Sequence, residues 1–284
     1  TVNSTIYTGT ASAILAGAVT LTKTDGGIGI LSSAGNTYTG ITIVDAGTLQ
    51  ISQDNHLGTA PASATANQIT FTNTTGILNT TASFTLATVR GITLTGSGTI
   101  KTESGTTLDY TGKITGAGGL TKSGTGTLTL NSNLNDYTGL TTISQGTLAI
   151  TAANALGGSS TGTTISNGTS TDPQATLSIS GALTVAEPIT IRGTGFGGTG
   201  AIRFTANNNT YSGAITLAED STVISSSGQQ TISGAISGGS KALTVTYTDN
   251  LTLSGGATSL SSLSVTSSTA SKTLTISNNI SSSG

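Results

Sequence analysis

The 284-residue sequence has 7% charged residues, against about 25% in ordinary soluble domains, with a net charge of −2 and no Cys, Met or Trp. That excludes disulfide stapling, thiolate metal sites and cysteine nucleophiles together. Nine scattered basic residues and 4% aromatics offer no nucleic-acid patch, base-stacking platform or aromatic-lined cleft.

The chain is not disordered in composition. Disorder pairs low hydrophobicity with high net charge, whereas here 34% of residues are apolar and stand singly between Thr, Ser and Gly. That is a strand composition. No apolar run approaches the ~20 residues of a membrane-spanning helix, so membrane insertion of this segment is not expected. The opening TVNSTIYTGTASAILAGAVT lacks an initiator Met and a charged n-region, so it is not a signal peptide. The ending SNNISSSG stops in mid-pattern, and the chain reads as a processed or excised portion of something longer.

Along the chain, short units alternate apolar and polar residues: Ile41-Thr42-Ile43, Thr127-Leu128-Thr129-Leu130, Leu183-Thr184-Val185 and Leu243-Thr244-Val245. Alternation with period two predicts strands with one face buried and one wet. No segment holds the i, i+3, i+4 spacing of an amphipathic helix, so little or no α-helix is expected. The motif Asn-x-Tyr-[Thr/Ser]-Gly punctuates the strands three times, as Asn36-Thr37-Tyr38-Thr39-Gly40, Asn135-Asp136-Tyr137-Thr138-Gly139 and Asn209-Thr210-Tyr211-Ser212-Gly213.

The first two copies belong to a longer, ungapped self-match. Lys23, Tyr38, Gly47-Thr48-Leu49, Asn55 and Leu57-Gly58 recur 99 positions later as Lys122, Tyr137, Gly146-Thr147-Leu148, Asn154 and Leu156-Gly157. Further on, Ile92-Thr93-Leu94-Thr95-Gly96 resembles Ile189-Thr190-Ile191-Arg192-Gly193 at a spacing of 97. The expected organisation is one continuous solenoid over 1–284. Its long repeats run from about 17 to 115 and 116 to 213, with a degenerate repeat over 214–284.

Sandwiches rarely repeat their own sequence, so the self-match favours a solenoid over a sandwich or barrel. At about 20–25 residues per coil the chain makes roughly 11–14 coils. Inward Leu, Ile and Val would stack on like residues, each burial contributing about 1.5–3 kcal/mol. Outward Thr suits a strand while staying wet. Identical charges stacked about 4.8 Å apart repel, so the few Asp and Lys are expected at corners or loops.

The block Gly119-Leu120-Thr121-Lys122-Ser123-Gly124-Thr125-Gly126-Thr127-Leu128-Thr129-Leu130, followed by Asn135–Gly139 and Gly146-Thr147-Leu148, closely resembles the passenger-associated transport repeat, also called the autotransporter-associated β-strand repeat. The first copy departs at its glycines, reading Thr22-Lys23-Thr24-Asp25-Gly26-Gly27-Ile28-Gly29-Ile30-Leu31. The resemblance implies an all-β, right-handed parallel β-helix (β-solenoid) exported to the bacterial surface or beyond, in which the repeat is scaffold rather than active site. Asn36, Tyr38, Gly40, Gly47, Leu49, Asn135, Tyr137, Gly139, Gly146, Leu148, Asn209, Tyr211 and Gly213 are therefore taken as structural positions of the repeat.

Chemistry is sparse. The lone histidine, His56, stands with Asp54 in Asp54-Asn55-His56-Leu57-Gly58, but the aligned repeat reads Ala153-Asn154-Ala155-Leu156-Gly157, so a solvated corner is expected. Polysaccharide-cleaving β-helices need two or three converging carboxylates. Here Asp25, Asp45, Asp54, Glu103, Asp109, Asp136, Asp172, Glu187 and Asp249 stand apart, and only Glu219-Asp220 are adjacent. Asp109 and Asp136, about one coil apart, are the pair best placed to converge. The calcium nonapeptide is missing, and Gly195–Gly200 lacks the Lys-Ser/Thr of a phosphate loop.

No enzyme, cofactor or metal is expected. The expected role is an extracellular structural or adhesive section of a longer surface protein, or a filament subunit in a biofilm. It would self-associate end to end or with further solenoid segments, because Leu274-Thr275-Ile276 and Ile280 continue the strand pattern where a cap would stand. Surface glycans are the candidate external partner, and a polysaccharide-binding or polysaccharide-degrading β-helix is the alternative reading.

Overall fold

The computed structural model describes residues 2–158, 160–166, 175–206 and 208–282. Asp172 lies outside them. Two compact units emerge, Thr1–Thr141 and Thr142–Gly284. Each is a stack of short parallel strands, and the described residues hold no α-helix, only single 3-10 turns at Asp54–Leu57 and Phe196–Gly198. The fold is a β-solenoid.

In the first unit, the register carries like onto like. Ile69 lies over Ile92 and Ile92 over Ile114, with Phe71 against Leu94 alongside. A second inward column runs Leu49, Leu78, Ile100 and Lys122. A third joins Phe84, Leu108 and Leu128. Except for Phe84, which is half-buried, every residue of these columns is inaccessible to solvent. Threonines between them face outward, half-exposed at Thr93 and Thr115 and nearly covered at Thr70. The two-residue alternation therefore sorts the faces as expected.

The second unit repeats the scheme. Leu148, Leu177, Ile202, Val223, Val245 and Val265 form one column. A separate five-stranded parallel sheet comprises Thr184–Val185, Thr210–Tyr211, Gln230–Ile232, Leu251–Leu253 and Leu274–Ile276. Its inward column is Val185, Tyr211, Ile232, Leu253 and Ile276, and its outward column is threonine at every level, Thr184, Thr210, Thr231, Thr252 and Thr275.

Coil length varies more than the sequence suggests. Partners such as Val223 and Val245 are one ordinary coil apart, but Thr42 pairs with Ile69 and Gly146 with Ala175. The added residues leave as loops and bulges, which a solenoid tolerates because each coil contacts only its neighbours.

Charges do not all sit at corners. Lys101 and Asp109 lie within strands Gly98–Thr102 and Thr107–Tyr110. Their neighbours in register are neutral: Asn79 and Ser123 for Lys101, Thr85 and Thr129 for Asp109. Avoiding stacked like charges thus constrains the column rather than the position. Lys23 and Lys122 depart further, pointing inward with no solvent exposure.

Candidate functional site

The Asn-x-Tyr-[Thr/Ser]-Gly segments form a recurrent corner, and each residue type has its own reason. Asn36, Asn135 and Asn209 are buried, and each side-chain oxygen accepts a backbone N–H about one coil back, from Leu15 (2.9 Å), Ile114 (2.8 Å) and Leu183 (2.9 Å). Asn36 also donates to the His56 carbonyl at 2.9 Å, so it bridges coils on both sides. A short amide satisfies backbone groups where the strand ladder is interrupted.

Tyr38, Tyr137 and Tyr211 are inside the core at 1%, 0% and 0% exposure. Tyr38 and Tyr137 share hydrogen bonds with the hydroxyls of Thr42 (2.9 Å) and Thr141 (2.7 Å), and Tyr211 donates to the Glu187 carbonyl at 2.7 Å. Burial pushes the Tyr38 phenol up to about 12. These rings present no exposed row to a ligand. The closing Gly40, Gly139 and Gly213 pass so near the preceding coil that an added Cβ would strike the backbone at Val19, Gly118 and Glu187. Gly47 and Gly146 open the next strand segment with φ of +66° and +70°, the left-handed region that favours glycine. Leu49 and Leu148 then turn inward, both at 0% exposure.

The motif lysines are buried cations held by turn carbonyls. Lys122 Nζ donates to the Ser123 and Gly124 carbonyls, both at 2.7 Å, and burial pulls it down to about 7. Lys23 donates to the Ala46 carbonyl at 3.2 Å and is ion-paired with Asp25. That pairing, then a hydrogen bond from the Thr8 hydroxyl, holds the Asp25 carboxyl down at about 2. Two residues beyond Lys122 the second copy has Gly124 in place of Asp25.

The expectation of a solvated corner at Asp54 and His56 fails. His56 is 4% exposed, and burial lowers its pKa. Asp54 forms an ion pair with Arg90, Nε to Oδ1 at 2.9 Å and Nη2 to Oδ2 at 3.2 Å. The Arg90 side chain is fully buried and also donates to the Leu57 carbonyl at 2.9 Å and the Gly58 carbonyl at 2.5 Å. Neither Arg90 nor its role was readable locally, since 36 residues separate it from Asp54. Glu187 is the other group that the sequence pattern missed. It is 5% exposed, meets the Thr163 hydroxyl at 3.4 Å, and is pushed up to about 7 by burial.

Among the described residues the acids, the adjacent Glu219 and Asp220 aside, stand apart from one another. Asp109 stands between Thr85 and Thr129, while Asp136 is held by Lys113 at 2.6 Å. Asp249 pairs with Lys272 and Glu103 with Lys101. Asp220 accepts the Ala242 N–H at 2.8 Å. Among the described residues no group of three or more His, Asp or Glu could hold a metal ion, and no helix is long and apolar enough to cross a membrane.

Comparison with known proteins bears on this geometry. The passenger-associated-transport-repeat family matches residues 21–51, 120–150 and 197–219, segments that hold the three Asn-x-Tyr corners or the strands beside them. A similar protein is the adhesin BmaC autotransporter of Brucella suis biovar 1 (strain 1330), 43% identical over 90 residues. That stretch is 32% of this chain and 2% of the adhesin, so the chain spans a small fraction of that relative. No solved structure matches. The chain is thus a β-solenoid in which three segments, each holding one of these corners, are similar to the passenger-associated transport repeat.

Proposed function

We propose that the chain is a section of a bacterial surface β-solenoid whose work is mechanical display rather than catalysis. The observation that carries this reading is the distribution of side chains. Buried positions are taken mainly by aliphatic columns and by polar groups bonded to backbone or to single neighbouring side chains, while the described acids stand in separate ion pairs or among neutral neighbours. General acid–base hydrolysis would need carboxylates converging on one face. The adhesin among the similar proteins supports export to the cell surface and an adhesive parent protein. The long repeats at about 17–115 and 116–213, with the degenerate repeat over 214–284, belong to the same reading.

Further coils stack on the edge formed by strands Leu274–Ile276 and Ile280–Ser282. Each pairs on one side only among the described residues, and Ile276 and Ile280 remain 45% and 37% exposed although they continue inward columns. An unpaired apolar edge is a template for another strand.

Antibody labelling of intact cells of the parent bacterium tests display. Signal before permeabilisation is expected, and signal only afterwards would overturn the reading. For stacking, sedimentation of the 284-residue chain should show concentration-dependent assembly that Ile276→Asp with Ile280→Asp abolishes. Unchanged assembly in that variant would place the contact elsewhere.

A further inference from the structure

Beside His56 lies a pocket of about 260 Å³, roughly the space of eight or nine waters. Its polar lining is Ser32, Gln50, Ser52, Gln53, His56 and Thr81, with Ile30 half-buried at one side. None of the nine lining residues is charged. The groups are amides and hydroxyls, with one imidazole.

Their hydrogen bonds leave polar capacity facing the space. Ser52 N–H donates to His56 Nδ1 at 3.3 Å, so a neutral ring carries its proton on Nε2. The Gln53 amide nitrogen lies 3.0 Å from Nε2; because Nε2 carries the proton, the amide is assigned turned end for end, its carbonyl accepting from Nε2 and its NH₂ group on the far side. Gln50 Oε1 accepts from Asn79 Nδ2 at 3.4 Å, leaving the Gln50 NH₂ group for a ligand. Ser32 and Thr81 spend their hydroxyl protons on the Ala11 and Ile51 carbonyls, both at 3.4 Å, and keep oxygen lone pairs.

The second repeat shows that the fold does not require this equipment. Ninety-nine positions on, Gln50, Gln53, Asp54 and His56 become Ala149, Ala152, Ala153 and Ala155, and Ala152 and Ala155 pack in the core. One corner carries alanine at these places, while its counterpart holds two amides and an imidazole around an open space.

We propose that this pocket binds a neutral hexose ring, its amide NH₂ groups donating to sugar hydroxyls, its Ser and Thr oxygens accepting from them, and Ile30 packing on a C–H face. An uncharged set of mixed donors and acceptors matches vicinal hydroxyls, which both give and take hydrogen bonds, and offers a free ion no counter-charge. The site extends the adhesive side of the surface reading but stands on the pocket itself. Cell-surface labelling and sugar binding can therefore fail independently.

The single histidine makes the test clean, because the ¹⁵N-imidazole spectrum contains one residue. Glucose, galactose, mannose and N-acetylglucosamine would be titrated into the 284-residue chain, with glucuronate as the charged comparator. At least one neutral sugar should shift the His56 ring signals saturably at millimolar concentration, and glucuronate should do so at least about tenfold more weakly. The Gln50→Ala, Gln53→Ala double variant copies the second repeat, so it should fold. It should weaken binding by roughly tenfold or more, about one hydrogen bond to the ligand. The proposal is overturned if none of the four neutral sugars moves the His56 signals, or if the double variant responds as the parent does.

Discussion

Arg90 stands two residues before Ile92, and Glu187 two residues before Ile189, at matching places in successive repeats. Both side chains are buried, at 0% and 5% exposure. Both backbone carbonyls accept a tyrosine hydroxyl, from Tyr110 at 2.8 Å and Tyr211 at 2.7 Å. Only the compensation differs. Arg90 meets the Asp54 carboxylate and the carbonyls of Leu57 and Gly58. The place of Asp54 is taken by Ala153 in the second repeat, and among the described residues Glu187 has a long bond from Thr163. The same corner therefore tolerates either charge sign, but Arg90 has a carboxylate partner from another coil, whereas among the described residues Glu187 has no cation beside it and burial pushes it up to about 7.

Breaking the better-compensated corner should have the largest effect. Arg90→Met strands Asp54 and two carbonyls, and the unfolding free energy should fall by about 3–5 kcal/mol. A urea midpoint unchanged from the parent would mean that the ion pair contributes nothing. The reverse holds at the other corner. Folding raises Glu187 from 4.5 to about 7, so the native chain binds more protons than the unfolded chain between those values. The stability Glu187 contributes is full below pH 4.5 and is lost as pH rises through 7. Glu187→Gln should remove that slope and raise stability at pH 8 by on the order of 2–3 kcal/mol. A melting temperature that falls at pH 8 in this variant would contradict the assignment.

The comparison sharpens if one corner is converted into the other. Glu187→Arg alone should destabilise, and adding Ala153→Asp should restore part of the loss, with a coupling energy of about 1–3 kcal/mol in a double-mutant cycle. Additive effects would show that the two corners are less alike than their sequences. Smaller again is the tyrosine bond. Tyr110→Phe and Tyr211→Phe should each cost about 1 kcal/mol, Tyr110 somewhat more because it also reaches the Lys113 carbonyl at 3.0 Å. Smallest is Lys113→Ala at the exposed pair with Asp136, expected to change stability by under about 0.5 kcal/mol and less at high salt.

Much of the candidate site was legible in part. The Asn-x-Tyr-[Thr/Ser]-Gly string announced a recurrent corner, because a short amide, a ring and a missing Cβ are each needed within five residues. Burial of His56 was not legible, since the alignment with Ala155 says only that the corner can do without it. The pocket beside it needed Ser32, Gln50 and Thr81 from three coils. The ion pair at Asp54 needed Arg90 from beyond a long strand, Thr65–Thr80.

What this sequence determined by itself is whatever repeats within one coil. Strand alternation, glycine at close approaches and the aliphatic columns all follow from side-chain period and backbone sterics over a few residues. What tertiary structure decided is who stands over whom. Register depends on the length of each coil, and coils here range from the short step between Val2 and Val19 to the long one between Gly146 and Ala175. A residue added or removed in any loop changes which polar groups meet in the next layer while leaving the strand pattern intact. The scaffold is therefore written locally, and the buried charges, with the pocket at His56, depend on the stacking.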